Sequence, residues 1–424
     1  YEIPLCDWSS DVCSSDLVNF PWITISNALA NLPFYYKFSD VVGALGMTII
    51  VICVNITAFK LWQDKQNGKP TNRMMLRLLY VFALVPIFYG AITLDDKPAE
   101  ETLRVGLIQP NLDPYEKWSG GPLDQLLEKY MSMTDKAVKD GAKLVIWPET
   151  ALPVYLMNGQ YPEIVEKIHA YADSNKIAIM TGMPHLKLFQ PGEAYPDDAK
   201  KFPDVDLRYA TYNSVLLFSP GVPVVQQYGK HKLVPFGERT PYVDQIPYIG
   251  EMLKWGVGIS SWNVGAGSQV LTLKTTTSRG EREVKIGALV CFESVFPYYA
   301  AEFTNKGAEF FAVVTNDSWY GNTSGPYQHK EFSNLRALEN HRAVVRAANG
   351  GISCLIDQTG KTLKATRMYE EAVLTVDVPL QKRDTIFLRT SSVVPYAVYA
   401  ASLLAVVLWI TGVIKSRKTK EQKT

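Results

Sequence analysis

What this chain has little of narrows its chemistry first. An excess of charge of either sign is lacking: 43 basic against 42 acidic residues leave a formal net charge of +1. That gives no broad electrostatic reason to expect nucleic acid as a partner. Histidine and cysteine are sparse, five of each, and the cysteines at 6, 13, 53, 291 and 354 form no CxxC pair and no zinc-like cluster with the histidines. No metal site is expected on that ground. A disulfide framework is not expected either, because only Cys291 and Cys354 fall in the polar middle of the chain. Internal repeats are absent, and so is low-complexity sequence beyond a basic tail.

Long apolar runs are what the sequence has in quantity. A bilayer-spanning helix needs about 20 mostly apolar residues. Val41 to Phe59 carries no charge, Met74 to Leu94 carries only Arg77 near its start, and Ser392 to Ile414 is charge-free and runs into Lys415-Ser-Arg-Lys-Thr-Lys420. Buried core helices are the plainer reading of such runs, but basic residues flank all three. Lys60, Lys65, Lys69, Arg73 and Arg77 cluster around the loop between the first two, and Lys415, Arg417, Lys418, Lys420 and Lys423 follow the third. The positive-inside rule places both groups in the cytoplasm and everything from about Asp95 to Thr390 outside. In a Gram-negative cell this predicts an inner-membrane protein with a periplasmic middle.

The chain divides accordingly. Residues 1–17 have neither periodicity nor the shape of a signal peptide and read as translated adapter sequence foreign to the protein. Residues 18–94 read as a partial membrane domain, comprising an aromatic, polar-interrupted interfacial segment from Val18 to Phe38 and two spans. Residues 95–391 form the catalytic candidate, 392–414 a third span, and 415–424 a cytoplasmic tail. In the middle, strands are expected at Arg104–Gln109, Leu144–Trp147, Ile177–Thr181, Ser214–Phe218, Val224–Gln227, Lys285–Cys291, Phe310–Thr315 and Ile352–Asp357. Helices are expected at Pro122–Asp140, Glu163–Ser174, Val295–Lys306 and Lys330–Ala348. This alternation argues for α/β layering. Leu188–Asp206 and Lys274–Glu283 read as surface loops, and Thr240–Trp262, rich in Tyr, Ile, Trp and Gly, as a mobile apolar lid.

Three segments carry chemistry. In Ile286-Gly-Ala-Leu-Val-Cys-Phe-Glu293 a thiol ends an apolar strand just before a polar turn and a helix. Alone, such a cysteine is more often an inert core residue. At a strand-to-helix turn it can stand exposed, and a helix N-terminus would favour its thiolate. Val145-Ile-Trp-Pro-Glu149 delivers a carboxylate past a proline; it is either a solvated loop acid or a general base that later acts as acid. Tyr228-Gly-Lys-His-Lys-Leu-Val-Pro-Phe-Gly-Glu238 offers Lys230, either a surface lysine or a point charge for an oxyanion, with Glu238 to position it. Glu293 is expected to hold the turn by hydrogen bonding rather than to react.

Glu149, Lys230 and Cys291, in that order and each after an apolar strand, resemble the Glu-Lys-Cys triad of the nitrilase superfamily. Ile108-Gln-Pro-Asn111, Trp147-Pro-Glu-Thr150, His231-Lys-Leu-Val-Pro-Phe-Gly-Glu238, Cys291-Phe-Glu293, Asn316-Asp-Ser-Trp-Tyr-Gly321, Gly325-Pro-Tyr-Gln-His329 and Arg342-Ala-Val-Val-Arg-Ala-Ala-Asn349 resemble its apolipoprotein N-acyltransferase branch, from about Val18 to the C-terminus. The resemblance implies a four-layer αββα sandwich anchored by transmembrane helices before and after it. It implies Glu149 as base, Lys230 as oxyanion stabiliser, Cys291 as nucleophile, Glu238 and Glu293 in support, and Trp118, Trp147 and Phe292 near the substrate. It further implies a phospholipid acyl donor such as phosphatidylethanolamine, a diacylated apolipoprotein acceptor, a thioester intermediate, no cofactor and a monomer in the bilayer. The family has several membrane helices ahead of the catalytic domain where this chain shows two, which implies an N-terminally truncated chain. It often has tyrosine where Phe292 stands. A membrane-tethered amidase for a small soluble substrate shares the triad and stays open, as does a lipid-binding module that kept the fold.

Overall fold

The computed structural model describes residues 20–94, 100–118, 122–202, 205–240 and 262–421. Thirteen strands lie among them in two sheets. The first contains β1 (Thr102–Gln109), β2 (Leu144–Trp147), β3 (Ala178–Phe189), β4 (Lys200–Lys201), β5 (Arg208–Phe218), β6 (Gln226–Gly229) and a last strand, Ala372–Pro379, that pairs with β1. The second contains β7 (Val270–Thr277), β8 (Gly280–Val290), β9 (Phe310–Asn316), β10 (Ala343–Asn349), β11 (Cys354–Ile356) and β12 (Thr362–Ala365); the closing strand Ala372–Pro379 is β13. The first sheet runs β13-β1-β2-β3-β5-β4 with β6 beside β5, and the second β12-β11-β10-β9-β8-β7. Both mix parallel and antiparallel pairs: β1 with β2, β2 with β3, β8 with β9 and β9 with β10 are parallel.

Side-chain alternation explains the layers. Leu103, Val105 and Leu107 of β1, Leu144 and Ile146 of β2, and Ala178 and Met180 of β3 enter a core shared with Val284, Ile286, Phe311 and Val313 of the facing sheet. Their neighbours Ile108, Val145, Trp147 and Ile179 point the other way, into a second core under the helices Leu123–Lys139 and Pro162–Asn175. Strands buried on both faces read as continuous apolar runs, which is how β1, β2, β8 and β9 appear in the sequence. The helices Pro297–Asn305 and Gly325–Asn340 cover the second sheet.

Among the described residues, three helices are long and apolar enough to cross a membrane: Ser39–Gln66, Arg73–Thr93 and Val394–Gly412. The N-terminal segment forms short turns (Pro21–Ile23, Ile25–Leu29, Pro33–Tyr36), and the Tyr36 hydroxyl donates to buried Glu339 on the helix Gly325–Asn340.

The structure corrects three expectations. The helix expected over Lys330–Ala348 stops at Asn340, where His341 turns left-handed (φ 52°), and Ala343–Asn349 is a fully buried strand parallel to β9. Lys274–Glu283 is a hairpin of β7 and β8 rather than a loop, its buried Thr275 and Thr277 alternating with exposed Lys274 and Thr276. Leu188–Asp206 is partly ordered, carrying the end of β3 and all of β4. Residues 1–17 and nearly all of the expected lid at Thr240–Trp262 lie outside the described residues.

Candidate active site

The C-terminal ends of β2 and β8 and the turn after β6 meet at one cavity of about 440 Å³. Glu149, Lys230, Glu238, Cys291 and Trp118 all line it, so five of the eight side chains singled out in the sequence converge. Each is placed by a local device. Glu149 follows β2 and packs against Gly182, where a Cβ would sit 2.5 Å from the Glu149 Cα; only glycine allows that approach. Lys230 leaves β6, its N–H donating to the Asn213 carbonyl at 2.7 Å and its carbonyl accepting from Gly265 N–H at 2.9 Å. Cys291 follows β8 in a left-handed conformation (φ 50°) and opens a 3-10 turn. A non-glycine residue there is strained and persists only where its surroundings over-determine it.

The charges form one buried ion-pair network. Lys230 Nζ lies 2.8 Å from Glu238 Oε2 and 3.5 Å from Glu149 Oε1. Asn213 Nδ2 donates to both carboxylates, at 2.7 Å to Glu149 and 2.9 Å to Glu238. The Asn316 N–H donates to the other Glu149 oxygen at 3.0 Å, and Val234 N–H to Glu238 at 2.9 Å. All four ionisable groups are at least nine-tenths buried. Burial by itself pushes the Lys230 ammonium down, but Glu238, Glu149 and Cys291 outweigh it and hold its pKa above the usual lysine value. Burial pushes the Cys291 thiol up, Glu149 pushes it further, and Lys230 offsets only part. The resting thiol is therefore protonated. The expectation that a helix N-terminus would favour the thiolate is corrected: the helix Pro297–Asn305 begins six residues on, and burial dominates.

Glu293 does not line the cavity. It is fully buried and accepts from Val290 N–H (2.8 Å), His231 N–H (2.7 Å), Lys232 N–H (3.2 Å) and the Tyr228 hydroxyl (2.7 Å), tying the cysteine turn to the lysine turn. Burial lifts its pKa to about 7 against the pull of those donors.

Two expectations of substrate contact do not match the geometry. Trp147 points away from the cavity because β2 alternates: its ring stacks on Tyr130 at 4.8 Å and its Nε1 donates to Thr134 in the helix-covered core. Phe292 is also buried off the cavity, between Phe20 and Phe296.

Sequence reasoning gave no individual site role to Asn213, Asn316, Trp262, Trp319 or Tyr320, which also line the cavity. Asn213 Oδ1 and Asn316 Nδ2 are buried polar atoms that have no hydrogen-bond partner among the described residues. Lys117, beside Trp118, was passed over too. Burial lowers its pKa to about 8, opposed by Glu149, and its Nζ donates to Thr150 at 3.2 Å. Asn316 had a signal, since it opens the Asn316–Gly321 motif. Asn213 had none, lying one residue ahead of the strand expected from Ser214.

A buried thiol, a carboxylate able to take its proton and an ammonium to meet an oxyanion can together support acyl transfer through a covalent intermediate. A model of the carbon-nitrogen hydrolase family matches residues 104–386. This chain belongs to the carbon–nitrogen hydrolase family. Its curated relatives include proteins named apolipoprotein N-acyltransferase from Chlorobaculum tepidum, 32% identical over 391 residues (91% of this chain, 72% of that protein), and from Geobacter metallireducens, 29% identical over 395 residues (92% and 70%). Nit3 of Saccharomyces cerevisiae, a nitrilase-superfamily structure, aligns with a TM-score of 0.47 at 18% identity, covering 70% of this chain and 96% of that one. Within the carbon–nitrogen hydrolases this chain is thus an acyltransferase-type member with helices apolar enough for a membrane on both sides of its sandwich.

Proposed function

We propose that this protein transfers an acyl chain from a phospholipid to the α-amino group of the lipidated N-terminal cysteine of an apolipoprotein. The observation that carries the reading is the convergence of Cys291, Lys230 and Glu149 on one cavity, in a chain whose relatives bear that activity in their names. Cys291 Sγ attacks the ester carbonyl as Glu149 takes its proton, and the oxyanion forms beside Lys230. Collapse expels the lysophospholipid oxygen, which recovers the proton from Glu149, and a thioester remains. The acceptor amine then attacks the thioester, its proton passes to Glu149, and collapse returns the thiol. Because the thiol is neutral at rest, one proton transfer makes the thiolate nucleophile and turns Glu149 into the acid that the leaving oxygen needs. Trp118 is assigned to the substrate; Glu238 keeps Lys230 aimed, and Glu293 holds the two turns in register.

The aromatic lining by Tyr115, Trp118, Trp262, Trp319 and Tyr320 supports a lipid-derived substrate, and water, the competing nucleophile, is poorly served by such walls. The three apolar helices support a donor that stays in the bilayer. Basic residues beside those helices support an inner-membrane location with the sandwich on the periplasmic side, and residues 18–94 and 392–414 as the membrane parts. Phosphatidylethanolamine is the proposed donor and a diacylated apolipoprotein the acceptor.

The test is intact-mass analysis of the detergent-solubilised protein after exposure to phosphatidylethanolamine. A gain of one acyl chain, removed by hydroxylamine and absent in Cys291→Ala, is expected, followed by its transfer to a diacylated lipopeptide. Release of the chain to water alone, with lipopeptide present, would point to a hydrolase. Turnover of small amides without any acyl adduct would favour the tethered amidase.

A further inference from the structure

Behind Cys291, on the side away from the cavity lining, lies a second ionic cluster. His329 is on the helix Gly325–Asn340, Asp317 in the turn after β9, and Arg346 on β10; all three are fully buried. None of the three is among the cavity-lining side chains. Their partners fix where the protons are. His329 Nδ1 is 2.9 Å from Asp317 Oδ1, which also accepts from Thr315 Oγ1 at 2.9 Å, while Arg346 Nη2 donates to Oδ2 at 2.5 Å. Burial pushes the Asp317 carboxyl up, but Arg346 and His329 outweigh it and hold it well below the usual carboxylate range. Asp317 is thus an acceptor only, and Nδ1 carries a hydrogen.

The other ring nitrogen also faces acceptors. Nε2 is 3.0 Å from the Cys291 carbonyl oxygen and 3.1 Å from Ser294 Oγ, whose own hydrogen is already donated to the same carbonyl at 2.8 Å. Nε2 is therefore the donor to the Cys291 carbonyl, and the ring is wedged between Asp317 and that carbonyl. Arg346 Nη2 lies 3.3 Å from Nδ1 and shares the same carboxylate. Aromatic rings enclose the imidazole: Trp22 of the N-terminal segment packs at 5.7 Å and Tyr320 at 6.1 Å. Trp22 is itself pinned, its Nε1 donating to Gln328 at 2.7 Å.

We propose that His329 is a positioning residue whose Nε2–H clamps the Cys291 carbonyl and so fixes the left-handed backbone that aims the thiol into the cavity. A non-glycine residue at positive φ persists only where its surroundings over-determine it. Here two donors, Nε2–H and the Ser294 hydroxyl, hold one carbonyl. Because the peptide is planar and trans, the same contact also sets the direction of the Phe292 N–H on the opposite edge. The inference rests on Cys291 being the nucleophile.

Two near-isosteres separate the roles of the ring nitrogens. Glutamine puts its amide nitrogen close to the Nε2 position and keeps the clamp; asparagine puts it close to Nδ1 and keeps only the tie to Asp317. In the full chain, alkylation of Cys291 by iodoacetamide (followed by intact mass over a Cys291→Ala background) and steady-state acyl transfer are measured for His329→Gln and His329→Asn. The glutamine variant is expected to stay near the wild-type rates. The asparagine variant is expected to lose about 10²-fold in kcat at unchanged KM, the scale of a misplaced reacting group, with its melting temperature close to that of the glutamine variant. Equal rates in the two folded variants would overturn the clamp. Should His329→Asn fail to fold, Ser294→Ala carries the test: removal of the second donor is expected to slow Cys291 alkylation several-fold, and a wild-type rate would overturn it. Wild-type protein whose Cys291 is alkylated but never acylated would instead count against the proposed function and leave the clamp standing on the alkylation rates.

Discussion

Two buried ionic clusters flank Cys291, and they differ in whether the cavity reaches them. On the cavity side, Glu149, Glu238 and Lys230 are joined through Asn213, and Asn213 Oδ1 and Asn316 Nδ2 have no partner among the described residues. Behind the turn, both oxygens of Glu293 are filled by four donors, and both oxygens of Asp317 by Thr315, His329 and Arg346. Arg346 Nη1 is without a partner among the described residues as well, so unused bonding capacity does not separate the two. Burial of ions is costly in both places. The first cluster lines the cavity and the second does not, and only where a cavity reaches the buried charge can that cost serve a reaction.

The sharpest way to break this comparison is to remove the ammonium that pairs with both cavity-side carboxylates. Lys230→Met is expected to lower acyl transfer by about 10²–10³-fold, the cost of losing an oxyanion donor. It also strips Glu149 and Glu238 of the ammonium they share, so a loss of about 3–5 kcal/mol in unfolding free energy accompanies it. Denaturant melts and lipopeptide acylation read the two effects separately; an active Lys230→Met would take the oxyanion role away from Lys230. Gly182→Ala strikes the same cluster through the backbone. Its Cβ would stand 2.5 Å from the Glu149 Cα and 2.8 Å from the Pro148 carbonyl oxygen, so Glu149 must move. About 10²-fold in kcat and roughly 1–3 kcal/mol of stability are expected to be lost, and an unchanged kcat would mean that the carboxylate's position is not critical.

On the sealed side the expected signature is pH-dependent stability. The folded-state pKa of Glu293, about 7, lies above its ordinary value of 4.5. A group raised on folding contributes stability fully below the unfolded pKa and loses it as pH rises through the folded one. The shift corresponds to about 3 kcal/mol. Relative to Glu293→Gln, which cannot ionise, the wild-type melting temperature is expected to fall between about pH 4.5 and 7. A constant difference across that window would mean that the four donors keep Glu293 ionised throughout.

Much of this was legible in the sequence, for identifiable reasons. Strands buried on both faces announce themselves as unbroken apolar runs, so β1, β2, β8 and β9 and the turns that follow them could be read directly. The strand Ala343–Asn349 was hidden because Ala-Val-Val-Arg-Ala-Ala continues the composition of the helix before it, and the break at His341 is left-handed backbone without glycine or proline. The β7–β8 hairpin was hidden by its exposed polar face, which reads as loop. Charged site residues were found because each sits in a turn that local sequence marks. Asn213 and the Asp317–His329–Arg346 cluster were not, since their roles arise only where separate elements meet.

Trp147 shows the same limit most plainly and supplies the mildest test. It is two residues from Glu149, and closeness in sequence suggested a shared site. A strand sends successive side chains to opposite faces, and Trp147 takes the face under the helix Leu123–Lys139, against Tyr130 and Thr134. Trp147→Phe keeps most of the apolar volume, removes the hydrogen bond from Nε1 to Thr134 and leaves a small void. A loss of about 1–3 kcal/mol in stability is expected, with lipopeptide acylation by the folded enzyme unchanged within about twofold, because no atom at the cavity moves. A selective rise in KM for the lipid donor, with stability intact, would return Trp147 to the substrate and show that the cavity reaches through the sheet. If stability alone changes, the outward face of β2 is scaffold, and the border between scaffold and site runs through Pro148, the one residue that separates Trp147 from Glu149.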